Sequence, residues 1–234
     1  MLNLNFLYNR EKDALNWVNT AKDTNPPFGF SYETSVAPIP ENLLKEITAL
    51  DEKEAIEKVL KYFSGNIGNK RQELKEEFID YYIKALDSHW QKHGEELSKK
   101  IEKIFGKFKT QQCDVFLTTL YVCDYNYKEK YFYLSLYHSL AKNFTIIAHE
   151  LSHFLFYDYF QDYFTKNKIS QNLFQDIKES ATILLNIEEF NNLLLIEDVG
   201  YEPHQKLRNE ILLSWQKHNN LKKVIDDVIK NYSN

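Results

Sequence analysis

The ten residues 146–155, IIAHELSHFL, constrain this chain more than any other segment. Apolar side chains surround a His-Glu-x-x-His pattern, and neither a proline nor a further charge interrupts it. Because residues four apart share one face of a helix, the pattern predicts a buried helix with His149 and His153 side by side. Two imidazoles at this spacing can bind one Zn²⁺, each at about 2.0–2.1 Å. Glu150, rotated by about 100° around the helix, would hold a water beside the metal and act as a general base.

Chance does not account for this pattern. With 7 histidines in 234 residues, it is expected roughly 0.02 times at random. The alternative interpretation is a surface helix with two incidental histidines, and the apolar flanks argue against it. His89 and His93 have the same spacing, but Trp90 replaces the glutamate and the surrounding residues are strongly charged. That second pair is therefore typical of a solvated helix face.

The segment 146–155 resembles the HExxH motif of the zincin metallopeptidases, and a looser resemblance extends over residues 113–186. The metzincin branch would need Gly at 156 and His at 159, where this chain has Phe156 and Tyr159. The resemblance therefore implies the gluzincin branch. In that branch a glutamate from a second helix downstream is the third ligand of a single catalytic Zn²⁺.

Glu179 is the predicted third metal ligand. It lies in DIKESATILLN, 26 residues after His153, and the polar segment between them predicts a helix–loop–helix hairpin. A solvent-exposed Glu179 beside Lys178 is the competing interpretation. Three other carboxylates remain open as alternatives: Asp176, Glu188 and Glu189. Some gluzincins carry an Asp four residues after the glutamate to orient a histidine. Ile183 stands there in this chain, so such support must come from elsewhere.

Two segments before the metal helix predict strands. Residues 113–123 (CDVFLTTLYVC) and 131–137 (YFYLSLY) are rich in β-branched and aromatic side chains, and a polar turn separates them. This pattern predicts a β-hairpin. The resemblance implies that residues 131–137 form an edge strand that pairs with an extended peptide or protein substrate. An ordinary edge strand covered by the N-terminal helices fits the sequence equally well.

Residues 198–208, DVGYEPHQKLR, are the third segment that could contribute to the predicted catalytic site. Gly200 and Pro203 predict a turn into a helix, which would place Tyr201, His204 and Arg208 on one face. A hydrolase needs a donor for the developing oxyanion, and the resemblance implies a His, Tyr or Arg from a C-terminal segment. His204 and Tyr201 are the first candidates, followed by Arg208. A helix start with exposed polar side chains is the alternative.

The remaining sequence predicts mostly helix. Residues 1–112 form a predicted N-terminal helical region, interrupted at 25–40, where four of the five prolines lie. Residues 113–234 form the predicted zincin-like catalytic core, packed with that region into one unit. The predicted fold class is α+β, predominantly helical, with a small β-hairpin or sheet before the HExxH helix.

Composition excludes several classes of protein. A net charge of −5 argues against a nucleic-acid partner, and no stretch approaches the ~18 apolar residues of a membrane span. The first residues lack the features of a signal peptide, so we expect a cytoplasmic protein.

The function expected is zinc-dependent hydrolysis of peptide bonds. The alternatives are a zinc hydrolase of non-peptide amides and a non-catalytic interaction protein on a zincin-like scaffold. The sequence indicates no oligomeric state.

Overall fold

The computed structural model describes residues 2–22, 39–65 and 69–232. Over these residues the protein is mostly helical and contains a four-stranded mixed sheet, which confirms the α+β class. The strands are β1 (Asn3–Leu7), β2 (Gln112–Thr118), β3 (Tyr125–Asn126) and β4 (Tyr131–Ser135). The helices are α1 (Arg10–Lys22), α2 (Glu41–Ala49), α3 (Glu52–Gly65), α4 (Asn69–Phe105), α5 (Leu140–Lys166), α6 (Gln171–Ala181), α7 (Gln205–His218) and α8 (Leu221–Tyr232).

The helix predicted for the HExxH segment and the second helix of the predicted hairpin are both present. Helix α5 ends at Lys166, and α6 gives way after Ala181 to a 3₁₀ helix, Thr182–Asn186. Most of the predicted proline-rich loop, residues 25–38, lies outside the described residues. None of the described helices is both long and apolar enough to cross a membrane.

The chain divides into two compact units. The sheet unit comprises Asn3–Gln91 and Gln112–Asn143, and the helical unit comprises Met1–Leu2, Lys92–Gln111 and Phe144–Asn234. Strands β2, β3 and β4 therefore belong to the same unit as most of the N-terminal residues.

The sheet has the order β1-β2-β4-β3. Strand β2 runs parallel to β4, from Asp114 opposite Tyr131 to Thr118 opposite Ser135. The predicted hairpin between residues 113–123 and 131–137 is therefore wrong. The antiparallel partner of β4 is the short strand β3. Since β4 lies between two strands, the prediction that residues 131–137 form an edge strand is also wrong, although β3 covers only Tyr131 and Phe132. Pairing of a substrate with this strand stays a prediction for the residues that β3 does not cover.

A buried aspartate fixes α1 to the end of β2 inside the sheet unit. Asp13 Oδ1 accepts hydrogen bonds from the Thr118 hydroxyl (2.8 Å) and the Thr119 backbone N–H (2.9 Å). Its Oδ2 accepts from the Thr119 hydroxyl (2.8 Å) and from the Tyr8 hydroxyl (3.1 Å). One side chain thus satisfies four donors that the fold removes from water.

Asp13→Ala is expected to lower the free energy of unfolding by about 3 kcal/mol or more, because each donor left unsatisfied costs about 1–3 kcal/mol. Urea denaturation measures this loss. Glu11→Ala on the same helix is the control, since Glu11 is exposed and its side chain is expected to contribute little. Equal effects of the two substitutions would contradict the role given to Asp13.

Candidate metal centre

The metal-binding motif lies on α5, in the helical unit. Ile147, Leu151 and Leu155 are fully buried, so this stretch of α5 is a core helix as its sequence predicts. The side chains of His149 and His153 are only 14% and 2% exposed. Their rings lie side by side, with centroids 4.3 Å apart and planes at 72°. The helix therefore presents two imidazoles to one small region of the interior.

Helix α6 brings Glu179 to these histidines. Ser170 caps α6 by accepting a hydrogen bond from the Leu173 backbone N–H, and this cap sets the start of the helix. Glu179 Oε2 lies 3.1 Å from His153 Nε2 and 3.5 Å from His149 Nε2. Three ligands around a tetrahedral Zn²⁺ with bonds of about 2.0–2.1 Å lie about 3.3 Å from one another. The two distances to Glu179 Oε2 are close to this value, and all donor atoms of this His149–His153–Glu179 cluster lie within 4.8 Å of one another, so the cluster could hold one metal ion.

The other candidate carboxylates lie elsewhere. Asp176 is 42% exposed, and its Oδ1 lies 3.2 Å from His204 Nε2. Glu188 and Glu189 are exposed in a 3₁₀ helix, Glu188–Phe190. Among the described residues, Glu179 is thus the carboxylate that joins the two histidines in a candidate metal group.

Asp198 supports His149 from the side opposite the cluster. Its Oδ2 lies 2.6 Å from His149 Nδ1, which fixes the ring and directs Nε2 towards Glu179. The Thr182 hydroxyl donates to Asp198 Oδ1 (2.9 Å), and Arg208 Nη1 lies 3.0 Å from the same oxygen. Asn186 exchanges two hydrogen bonds of 2.8 Å with the Asp198 backbone. The support that Ile183 cannot provide thus comes from a residue 15 positions further along the chain.

The pKa values of the two histidines are shifted in opposite directions. Burial opposes protonation of His149, but the Asp198 carboxylate outweighs it, with smaller contributions from Glu179 and Glu150, and raises the pKa of His149 to about 10. Burial lowers the pKa of His153 to about 3. Burial also opposes ionisation of Glu179, yet the histidines and the Lys178 ammonium hold its pKa well below its usual range. A metal ion entering the cluster at neutral pH must therefore displace a proton from His149.

The predicted catalytic residues occupy different surroundings. Glu150 is buried on α5, next to His149 in sequence. His204 is buried in a 3₁₀ helix, Glu202–His204, that packs against α6, and the Tyr201 ring centre lies 5.9 Å from that of His204. Arg208, the reserve candidate for an oxyanion donor, is buried and paired with Asp198 instead.

Sequence reasoning missed three residues of this site: Lys178, Thr182 and Asp198. Asp198 opens the segment DVGYEPHQKLR, and nothing local distinguishes it from an exposed turn residue. Lys178 stands next to Glu179 in sequence, where a lysine is equally compatible with a solvated surface. Their roles depend on which helices pack together, and no short motif encodes that.

Gly200 makes room for the Arg208 guanidinium. Its φ is +59°, a left-handed conformation, and a Cβ at this position would lie 2.5 Å from Arg208 Nη1. Gly200→Ala must therefore displace the cation that holds Asp198. We expect about 1–2 kcal/mol lower stability from the backbone alone and about 10-fold weaker zinc binding through the loss of ordered support for His149.

Competition with a zinc indicator and thermal unfolding measure the two effects of Gly200→Ala. Gly65→Ala is the matched control, because a Cβ at Gly65 would contact nothing within 4 Å. Zinc affinity unchanged in Gly200→Ala would show that the Arg208–Asp198 pair does not tune the cluster.

Comparisons with protein-family models, with curated proteins and with solved structures find no match to this chain.

Proposed function

We propose that this protein is a zinc-dependent metallopeptidase of the gluzincin type, with His149, His153 and Glu179 as metal ligands. One observation carries the proposal: two imidazole Nε2 atoms converge on one carboxylate oxygen at 3.1 and 3.5 Å. A set of two histidines and one glutamate is typical of catalytic rather than structural zinc, because it leaves the fourth position open.

The residues around the cluster suit hydrolysis. A bound Zn²⁺ would supply Lewis acidity, lowering the pKa of water to about 7 and polarising a carbonyl oxygen. Glu150 would take a proton from the attacking water and later deliver it to the leaving amine. Asp198 pairs with His149 Nδ1, so the proton that His149 would lose to a metal is the one on Nε2. His204 and Tyr201 are proposed as hydrogen-bond donors to the oxyanion.

The presence of Glu150 favours an enzyme over a non-catalytic interaction protein. It is a buried carboxylate next to His149 in sequence. Burial lowers the pKa of His149, and the negative charge of Glu150 adds to the larger effects of Asp198 and Glu179 that raise it. A site that only stabilised the fold would not need a carboxylate at this position. The substrate proposed is therefore a peptide or an unfolded protein, with non-peptide amides as the second candidate class.

Metal analysis combined with a hydrolysis assay tests this proposal. Purified protein is expected to contain close to one zinc per chain, to hydrolyse an unfolded protein substrate, to lose that activity on chelation and to regain it with added Zn²⁺. Protein that takes up no zinc would overturn the proposal. Zinc-loaded protein that cleaves small amides but no peptide would replace the metallopeptidase by the non-peptide alternative.

A further inference from the structure

Lys178 is a fully buried cation beside the proposed metal ligands. Its side chain is 2% exposed, and its Nζ lies 2.6 Å from Glu179 Oε1. The same ammonium lies 5.6 Å from the centre of the Tyr157 ring, whose hydroxyl accepts a hydrogen bond from Gln175. Burying an ammonium costs several kcal/mol unless a close counter-charge offsets it. The Glu179 carboxylate provides such a counter-charge for the buried Lys178 ammonium.

The pair is not a by-product of adjacency in sequence. Neighbouring residues on a helix point about 100° apart and do not face each other. Lys178 must turn its long side chain along α6 to reach Glu179, and it does so inside the protein, where a solvated position would otherwise cost less. A solvent-exposed Glu179 beside Lys178 is the competing interpretation of the sequence, and the burial of both side chains argues against it.

The two oxygens of Glu179 have separate partners. Oε2 faces both histidines, at 3.1 and 3.5 Å, and Oε1 faces Lys178 at 2.6 Å. A carboxylate can bind a metal through one oxygen or through both. Chelation would turn Oε1 towards the histidines and away from its 2.6 Å contact with the ammonium, which would weaken a buried ion pair.

From this division of oxygens we infer that Lys178 restricts Glu179 to single-oxygen metal ligation and so keeps the fourth coordination position open. The inference deepens the proposed function and rests on its metal centre. Lys178 acts as a positioning residue, through Glu179, and touches no substrate. Arg208 occupies a similar position, because it pairs with Asp198, the carboxylate that contacts His149 Nδ1.

The first test uses the wild-type protein loaded with Zn²⁺. X-ray absorption at the zinc edge is expected to show two histidine nitrogens and a single carboxylate oxygen, all at about 2.0–2.2 Å. A second carboxylate oxygen in the coordination shell would overturn the inference. Because this measurement needs no substitution, it does not depend on whether a variant folds.

The second test asks whether Lys178 is the cause, and it uses Co²⁺ alone as the probe. Lys178→Met keeps the length of the side chain and removes the ammonium. Four-coordinate Co²⁺ absorbs visible light more strongly than five-coordinate Co²⁺, so the spectrum reports the coordination number. We expect a strong spectrum in the wild type, and a loss of intensity in Lys178→Met as Oε1 becomes free to chelate.

Lys222→Met is the matched control, since Lys222 pairs with Asp226 on the surface of α8. Its spectrum is expected to equal that of the wild type. Identical spectra for Lys178→Met and the wild type would overturn the inference while leaving the proposed function intact. Failure of the wild type to bind Co²⁺ or Zn²⁺ would instead remove the metal centre itself.

Discussion

Glu150→Gln is expected to reduce hydrolysis by about 10²–10⁴-fold while leaving the metal in place, because a positioned general base contributes about that much to the rate. Glutamine keeps the shape of the buried side chain, but its amide cannot accept a proton at neutral pH. The three proposed ligands are unchanged, so zinc content is expected to stay near one per chain. The effect should appear in kcat rather than in KM, since Glu150 acts on the attacking water.

The measurement pairs kcat and KM on an unfolded protein substrate with zinc analysis of the same sample. Glu189→Gln is the matched control, because Glu189 is an exposed glutamate of the same helical unit. Unchanged kcat in Glu150→Gln would remove Glu150 as the base. Loss of zinc from Glu150→Gln would show that this carboxylate binds the metal, which contradicts the division of roles between Glu150 and Glu179.

The grouping of the two histidines could be predicted because it is local. Four-residue spacing on a helix fixes the two rings relative to each other, whatever the rest of the fold does. Glu179 could be predicted as their partner only with help from the resemblance, since its approach depends on how α5 and α6 turn back on each other. Asp198 and Lys178 could not be predicted, because each acquires its role from a partner that only tertiary packing supplies.

The pairing of the strands in the sheet could not be predicted from the sequence either. Strand β1 is five residues long and alternates exposed and buried positions, with Leu4 and Phe6 buried, yet its partner β2 begins more than 100 residues later. Two β-rich segments separated by a polar turn suggested a hairpin. The intervening residues instead form their own short strand, β3, so that β2 and β4 become parallel neighbours. Pairing over such distances follows from the packing of the whole unit and not from a local turn signal.

Glu179→Ala is expected to weaken zinc binding by about 100-fold or more. Loss of an outer partner of a metal ligand already costs about 10–100-fold, and Glu179 is itself a proposed ligand. It is also the negative charge nearest to both imidazole Nε2 atoms. Glu188→Ala and Asp176→Ala are the matched controls, because both carboxylates lie outside the cluster, and neither is expected to change zinc affinity by more than a few-fold.

Removal of Glu179 also takes away the carboxylate that lies 2.6 Å from Lys178 Nζ, and breaking a buried ion pair from one side costs about 3–5 kcal/mol. A simple loss of folding could therefore imitate a loss of ligation. The double variant Lys178→Met/Glu179→Ala separates the two effects, because it removes both charges of the buried pair and is expected to recover stability without recovering zinc affinity. Unfolding of the metal-free proteins in urea and competition with a zinc indicator measure the two quantities. Zinc affinity restored in the double variant would show that Glu179 serves Lys178 rather than the metal, and a loss of affinity in Glu188→Ala would assign the third ligand to that residue instead.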